Sequence, residues 1–234
     1  MKILISDYDG TIKTYDNNPN MLEKYTFKKN IEEIKRFIER KNKFIIATGR
    51  STDSIEREII RYNIPYNYLI TYNGRVSLDK DNRLINAEYI DNKFLDELKD
   101  INIRNISLFN EYEKTNFNKN LIYIYLSLKN YKDNKKYLTE WTSKYPDLKI
   151  DYNILFNYLI IRKKYNKLQG IKDLINKENI TIPNNSIITV GDNINDIDMI
   201  NEYDGYRMFI SNPELLFKTN NVTTSVHKLI KKIK

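Results

Sequence analysis

The chain has no cysteine among its 234 residues, which removes disulfides, thiolate nucleophiles and thiolate metal sites together. It has one histidine, His227, near the C-terminal end and far from any motif. Histidine-based acid–base chemistry is therefore not expected, and His227 reads as an ordinary surface residue. No apolar run approaches the roughly 20 residues that span a bilayer. The opening Met1-Lys2-Ile3-Leu4-Ile5-Ser6 is too short an apolar stretch for a signal peptide. A cytoplasmic protein without a membrane partner is the expectation. Neither an internal repeat nor a low-complexity linker interrupts the chain.

What is present is an ordinary globular balance, 41% hydrophobic and 30% charged, in a length that allows one large core or two modest ones. The net charge of +8 would suit nucleic acid or an acidic surface. The cations are spread along the chain, however, and Lys, Asn, Ile and Tyr are all heavily used, as AT-rich coding alone would produce. Solvated basic faces are the preferred reading, and nucleic acid is not an expected partner. A positive field would still draw in anionic substrates.

Apolar periodicity predicts a strand over Ile3 to Ser6, a helix bearing Ile31, Ile34, Phe37 and Ile38, and a strand over Phe44 to Ala47. A helix from about Thr52 to Tyr62 and a strand at Tyr68 to Thr71 follow. This is the rhythm of a parallel sheet with crossover helices. After Asn73-Gly74 the pattern changes. A hairpin around Asp79-Lys80-Asp81-Asn82 is followed by a helix with Phe94, Leu95 and Leu98, a strand near Ile103 to Leu108, and an alternating strand from Ile122 to Leu128. A helix with Tyr137, Leu138, Trp141 and Tyr145 and two more strands, at Leu148 to Tyr152 and Tyr158 to Arg162, complete this part. From Asn166 the first rhythm resumes, with strands at Ser186 to Val190 and Tyr206 to Ile210. The expected fold is α/β: a Rossmann-like parallel-sheet core, residues 1–78 and 165–234, interrupted by a smaller α/β insert, residues 79–164.

Two carboxylates, Asp7 and Asp9, stand directly beyond the first strand in Asp7-Tyr8-Asp9-Gly10-Thr11. Ligands of open α/β sheets bind at such strand ends, and carboxylates this close resist joint ionisation unless a cation compensates. A plain strand-to-turn Asp-x-Asp-Gly is the competing reading. The segment resembles the first motif of the haloacid dehalogenase superfamily. Thr48-Gly49-Arg50, after the second strand, resembles the second motif, where a hydroxyl and backbone N–H groups can hold a phosphoryl oxygen; such a Thr-Gly also serves as a helix cap. Lys167, in Asn166-Lys167-Leu168-Gln169, resembles the third-motif lysine, with Lys163 and Lys164 as alternatives. Gly191-Asp192-Asn193-Ile194-Asn195-Asp196 closely resembles the fourth motif; a loop with an Asp/Asn cap is its bland counterpart.

The resemblance implies a phosphatase in which Asp7 is the nucleophile and forms an aspartyl-phosphate, and Asp9 is the general acid and base. It implies Mg²⁺ held by Asp7, the main-chain carbonyl of Asp9 and Asp192, with Asp196 completing the shell. Thr48, Gly49 and Lys167 would hold the phosphoryl group, and Asn195 would orient substrate or water; Arg50 and Asn73 read either as inner-rim substrate contacts or as residues that serve only local structure. A carboxylate at position 9 matches superfamily members that act on phosphate esters.

An insert between the second and third motifs, with Thr71-Tyr72-Asn73-Gly74 and Asn195-Asp196-x-x-Met199, resembles the Cof-type branch, in which the insert is a cap. That branch implies a small phosphorylated metabolite such as a sugar phosphate. The insert is short for the branch, and Lys41-Asn42-Lys43 replaces a usual glycine. Tyr8 is similar to the aromatic residue in trehalose-phosphate phosphatases, a second reading. Tyr123 and Tyr125 could stack on a sugar or simply face outward from a strand. The rival classes are a nucleic-acid or protein phosphatase and a non-catalytic binding protein of the same fold.

Overall fold

The computed structural model describes residues 1–14, 19–99, 101–116, 120–129 and 131–233. They form two compact units, residues 1–50, 54–86 and 166–234, and residues 51–53 with 87–165. In chain order the elements are β1 (Ile3–Ser6), α1 (Met21–Glu39), β2 (Lys43–Ala47), α2 (Thr52–Tyr62), β3 (Tyr68–Thr71), β4 (Val76–Asp79) and β5 (Leu84–Ala87). Then come α3 (Asn92–Leu98), β6 (Ile103–Phe109), β7 (Lys114–Thr115), β8 (Tyr123–Leu128), α4 (Tyr131–Lys144), β9 (Leu148–Asn153) and β10 (Tyr158–Lys163). The last are α5 (Lys167–Lys177), β11 (Ile187–Gly191), α6 (Ile197–Glu202), β12 (Asp204–Met208), β13 (Val222–Thr223) and α7 (Val226–Lys232).

The larger unit is built on a sheet of order β13-β12-β11-β1-β2-β3-β4-β5, parallel from β13 to β3 and antiparallel at β3–β4. Ile3, Leu4 and Ile5 of the central strand β1 are fully buried, as strands covered on both faces require. Ile171 and Leu174 of α5 and Met199 of α6 share one cluster with Ile3, Ile5, Ile45 and Ile70. On α1, which packs against β2 and α7, Phe27, Ile34 and Phe37 are the buried apolar face. Its N-terminus is a reciprocal capping box between Asn20 and Glu23, which satisfies two otherwise orphaned N–H groups.

Four expectations change in the structure. The hairpin expected to open the insert extends the large sheet instead, because β4 pairs antiparallel with the exposed edge of β3. Its turn is closed by Asp79, whose Oδ1 accepts the N–H groups of Asp81 and Arg83. The junction between units therefore falls near residue 86 rather than 78. The strand expected at Tyr206 to Ile210 runs from Asp204 to Met208 and stops before the exposed Phe209 and Ile210. The two-residue strands β7 and β13 were too short to show a period. His227 is half-buried: its backbone N–H donates to Asn30 Oδ1 at 2.9 Å, and its ring Nδ1 lies 3.1 Å from the same oxygen.

The smaller unit is an antiparallel sheet of order β7-β6-β8-β10-β9. Alternation in β8 buries Ile124, Leu126 and Leu128 against Phe94 and Leu98 of α3 and Trp141 of α4, and leaves Tyr123 and Tyr125 half-buried on the other face. Trp141 is fully buried, edge-on to Phe94 at 5.2 Å, and its Nε1–H donates to Glu97 at 3.0 Å, so its one polar atom is satisfied.

Candidate active site

In the large sheet β1 lies between β2 and β11, so the crossover direction reverses at β1/β11. A crevice opens beyond the carboxyl ends of the strands at such a switch point. Asp7 leaves β1 with its N–H donated to Val190 O at 3.0 Å, Thr48 leaves β2, and Asp192 leaves β11. Three chain segments remote in sequence thus converge through strand register alone.

Asp7 is 5% exposed, and Asp196 and Lys167 are buried as fully as any core residue. Lys167 Nζ donates to Asp7 Oδ1 at 2.6 Å and to Asp196 Oδ1 at 2.7 Å. The other Asp196 oxygen accepts the backbone N–H groups of Asp192 and Asn193, each at 3.0 Å. Asp192 accepts a hydrogen bond from Thr11 Oγ1 at 3.0 Å. Lys167 is placed by the start of α5, where Asn166 and Gln169 form the reciprocal capping box that the sequence suggests. It is this lysine, rather than Lys163 or Lys164, that reaches Asp7; Lys163 Nζ donates instead to Glu88 at 3.2 Å.

Close backbone approach makes this packing possible. Gly10 has φ +77°, and a Cβ there would stand 2.2 Å from Asp192 Oδ2. At Gly191 a Cβ would stand 2.3 Å from the Asp196 carboxylate carbon. Only glycine brings the two Asp-bearing loops this near one another.

One carboxylate oxygen each from Asp7, Asp192 and Asp196 lies within 4.8 Å of the others. Burial raises the Asp7 carboxyl well above its ordinary value, although the Lys167 ammonium pulls it down, and burial raises Asp192 as well. Burial would lower Lys167, but Asp196 and Asp7 overcome this and raise it. One ammonium against three carboxylates leaves a charge deficit that a single divalent cation offsets, and all-oxygen donors suit a hard ion such as Mg²⁺. The residues present therefore fit the metal.

Asp9 lies outside this cluster, and its side chain is half-exposed. Arg50 grips it with two prongs, Nε to Oδ2 at 2.7 Å and NH2 to Oδ1 at 2.6 Å. Thr48 is buried, and its Oγ1 accepts the Arg50 N–H at 3.2 Å. Asn73, at φ 54°, donates its N–H to Thr48 O at 3.0 Å and accepts from Asn195 Nδ2 at 2.8 Å. An open pocket of about 280 Å³ is lined by Asp7, Asp9, Thr48, Gly49, Arg50, Asn193 and Asn195. Sequence reading did not single out Asn193 or Thr11 as site residues, although both lie inside the quoted motifs. It also missed the Asp9–Arg50 pair, for which spacing carries no signal. Tyr8 is fully buried.

The site is an acidic cluster at the switch point of an open α/β sheet, with a polar rim. Residues 4–109 and 99–229 match the haloacid dehalogenase-like hydrolase family, and the chain belongs to that family. No curated protein matches it in sequence. Among solved structures it resembles a HAD/COF-like hydrolase from Plasmodium vivax, at 19% identity and TM-score 0.69, covering 100% of this chain and 95% of that one. A Thermotoga maritima protein aligns at 17% identity and TM-score 0.77, covering 100% and 97%. A HAD subclass IIB sugar phosphatase aligns at 18% identity and TM-score 0.65, covering 99% and 98%. At these identities the likeness is one of fold. Among the described residues no helix is long and apolar enough to cross a membrane.

Proposed function

We propose that the protein is a Mg²⁺-dependent phosphatase that hydrolyses a small phosphorylated metabolite, a sugar phosphate or similar, through an aspartyl-phosphate on Asp7. The observation that carries this is the buried Asp7–Lys167–Asp196 array beside Asp192, with a second carboxylate, Asp9, at the pocket rim.

Lys167 fixes one Asp7 oxygen and leaves the other to attack phosphorus in line. As the ester P–O bond breaks, Asp9 donates a proton to the leaving oxygen; it then removes a proton from the water that attacks the aspartyl-phosphate. Phosphate leaves and Asp7 is regenerated. Thr48 Oγ1, the Gly49 N–H and the Lys167 ammonium hold the phosphoryl oxygens, and Arg50, Asn73 and Asn195 bound the substrate side. Asp7, Asp192 and the main-chain carbonyl of Asp9 would hold Mg²⁺, with Asp196 behind them; the ion supplies compensation for charge between nucleophile and phosphoryl group. Residues 87–165 are read as the cap domain of the Cof-type branch, and the compartment as the cytoplasm.

The test is phosphate release from sugar phosphates, nucleotides, flavin mononucleotide and pyridoxal phosphate, with and without Mg²⁺. Activity on one of the small esters that needs Mg²⁺ and vanishes in Asp7→Asn is expected. Turnover that survives Asp7→Asn overturns the mechanism.

A further inference from the structure

Glu58 sits in the middle of α2, outside every motif. Its side chain is nevertheless 14% exposed, and one of its oxygens, Oε2, receives two donors. Tyr8 Oη–H donates to it at 2.7 Å and Lys13 Nζ at 2.6 Å. Tyr8 and Lys13 are the two ends of the loop that carries Asp9. The backbone closes the same loop: Lys13 N–H donates to Tyr8 O at 2.9 Å, Gly10 N–H donates to Lys13 O at 2.8 Å, and Asp9 and Lys13 form a bridge. On its other side the Tyr8 ring carries the Arg50 guanidinium, 5.1 Å from its centroid, and that guanidinium is the two-pronged partner of Asp9.

A continuous path thus runs from Glu58 through the buried Tyr8 to Arg50, and from Arg50 to Asp9. Without Glu58 the Tyr8 hydroxyl and the Lys13 ammonium would both lose their shared acceptor in a poorly hydrated place, which is costly enough to move them. The ring under Arg50 and the far end of the Asp9 loop would shift together.

We propose that Glu58 is a positioning residue for proton transfer: by stapling Tyr8 to Lys13 it holds the Asp9 loop and the Arg50 guanidinium in the arrangement that presents the Asp9 carboxylate to the leaving group. This rests on the phosphatase reading above. Glu58 is not among the residues that line the Asp7 pocket, so its removal weakens proton delivery and spares phosphoryl binding.

The test compares kcat/KM, which reports steps through the first phosphoryl transfer, for p-nitrophenyl phosphate and for glycerol 2-phosphate. The nitrophenolate departs without a proton and the alkoxide does not. Glu58→Ala is expected to lower kcat/KM on the alkyl ester by about tenfold or more, with kcat/KM on the aryl ester changed by less than about threefold. Glu58→Gln, which keeps an acceptor oxygen for Tyr8, should recover part of the loss. Tyr8→Phe, which keeps the ring and the packing, should show the same selective loss and serves if Glu58→Ala does not fold. An equal effect on both esters, or none, overturns the proposal. Crystal structures of wild type and Glu58→Ala separate it from the phosphatase reading: a displaced 8–13 loop with an opened Asp9–Arg50 pair supports it even if neither ester is turned over, and an unchanged loop sinks it while leaving the Asp7 mechanism intact.

Discussion

Lys167 and Asp196 form an ion pair with no exposed side-chain surface on either partner, Nζ to Oδ1 at 2.7 Å. Asp196 also accepts two backbone N–H groups, so the pair ties the start of α5 to the loop after β11 and holds the ammonium against Asp7. Its desolvation cost is met by hydrogen bonds on both sides, the condition under which a buried pair is tolerated.

Lys167→Met removes the ammonium that contacts both Asp7 and Asp196. Removing one partner of a buried pair typically costs about 3–5 kcal/mol, and phosphate release should fall by at least about a hundredfold. Urea unfolding in EDTA and then in excess Mg²⁺ checks the assignment. The loss of stability should be largest in EDTA and partly recovered by the ion, which replaces the missing positive charge.

Asp7→Asn separates function from stability. Phosphate release should drop on the order of 10³-fold or more, while thermal stability in EDTA should stay level or rise, because a neutral amide relieves repulsion with Asp192 and Asp196. A melt of the two proteins side by side decides this.

The raised carboxyl of Asp7 gives a pH signature. Its ordinary value is 3.8 and the folded-state value is higher, so between the two the folded chain binds more protons than the unfolded chain. Stability without metal must then fall as pH rises above the ordinary value of 3.8 and through that window. Asp192, also raised, acts in the same direction. Lys167 is raised and remains charged throughout. Stability against pH in EDTA should show this decline, and the slope should lessen in Asp7→Asn and in Mg²⁺.

Binding of Mg²⁺ to the folded chain should raise the melting temperature, by the equivalent of about 2.7 kcal/mol at a hundredfold excess over Kd. Asp192→Asn should abolish most of the rise without unfolding the protein.

Gly10→Ala tests the close approach of the two Asp-bearing loops. The left-handed backbone alone costs about 1–2 kcal/mol for a residue with a Cβ, and that Cβ would strike Asp192, which must move. The Mg²⁺-induced rise in melting temperature should shrink well beyond the loss of basal stability. An unchanged metal response removes Gly10 from the account of the site.

Much of this protein is legible from its residues in order. The alternation of Ile3–Ser6, Phe44–Ala47 and Tyr68–Thr71 with helical stripes specifies a parallel sheet, since buried strands and amphipathic helices have different periods. Asp7, Thr48 and Asp192 fall at strand ends because turn chemistry follows each apolar run, and Asn166 with Gln169 marks a helix start because capping is local. Tertiary structure decided the rest. Whether the hairpin at Val76–Ala87 joined the core sheet or opened the insert depended on a partner edge, β3, that period-2 patterning cannot name. Which of Lys163, Lys164 and Lys167 reached Asp7 depended on tertiary packing: Lys163 ends β10 and donates to Glu88, whereas Lys167 opens α5 and meets Asp7. The grip of Arg50 on Asp9, and of Glu58 on Tyr8 and Lys13, joins residues that are 41, 50 and 45 positions apart. Local sequence sets backbone conformation and which face is apolar; contacts at such separations exist only once the strands are in register.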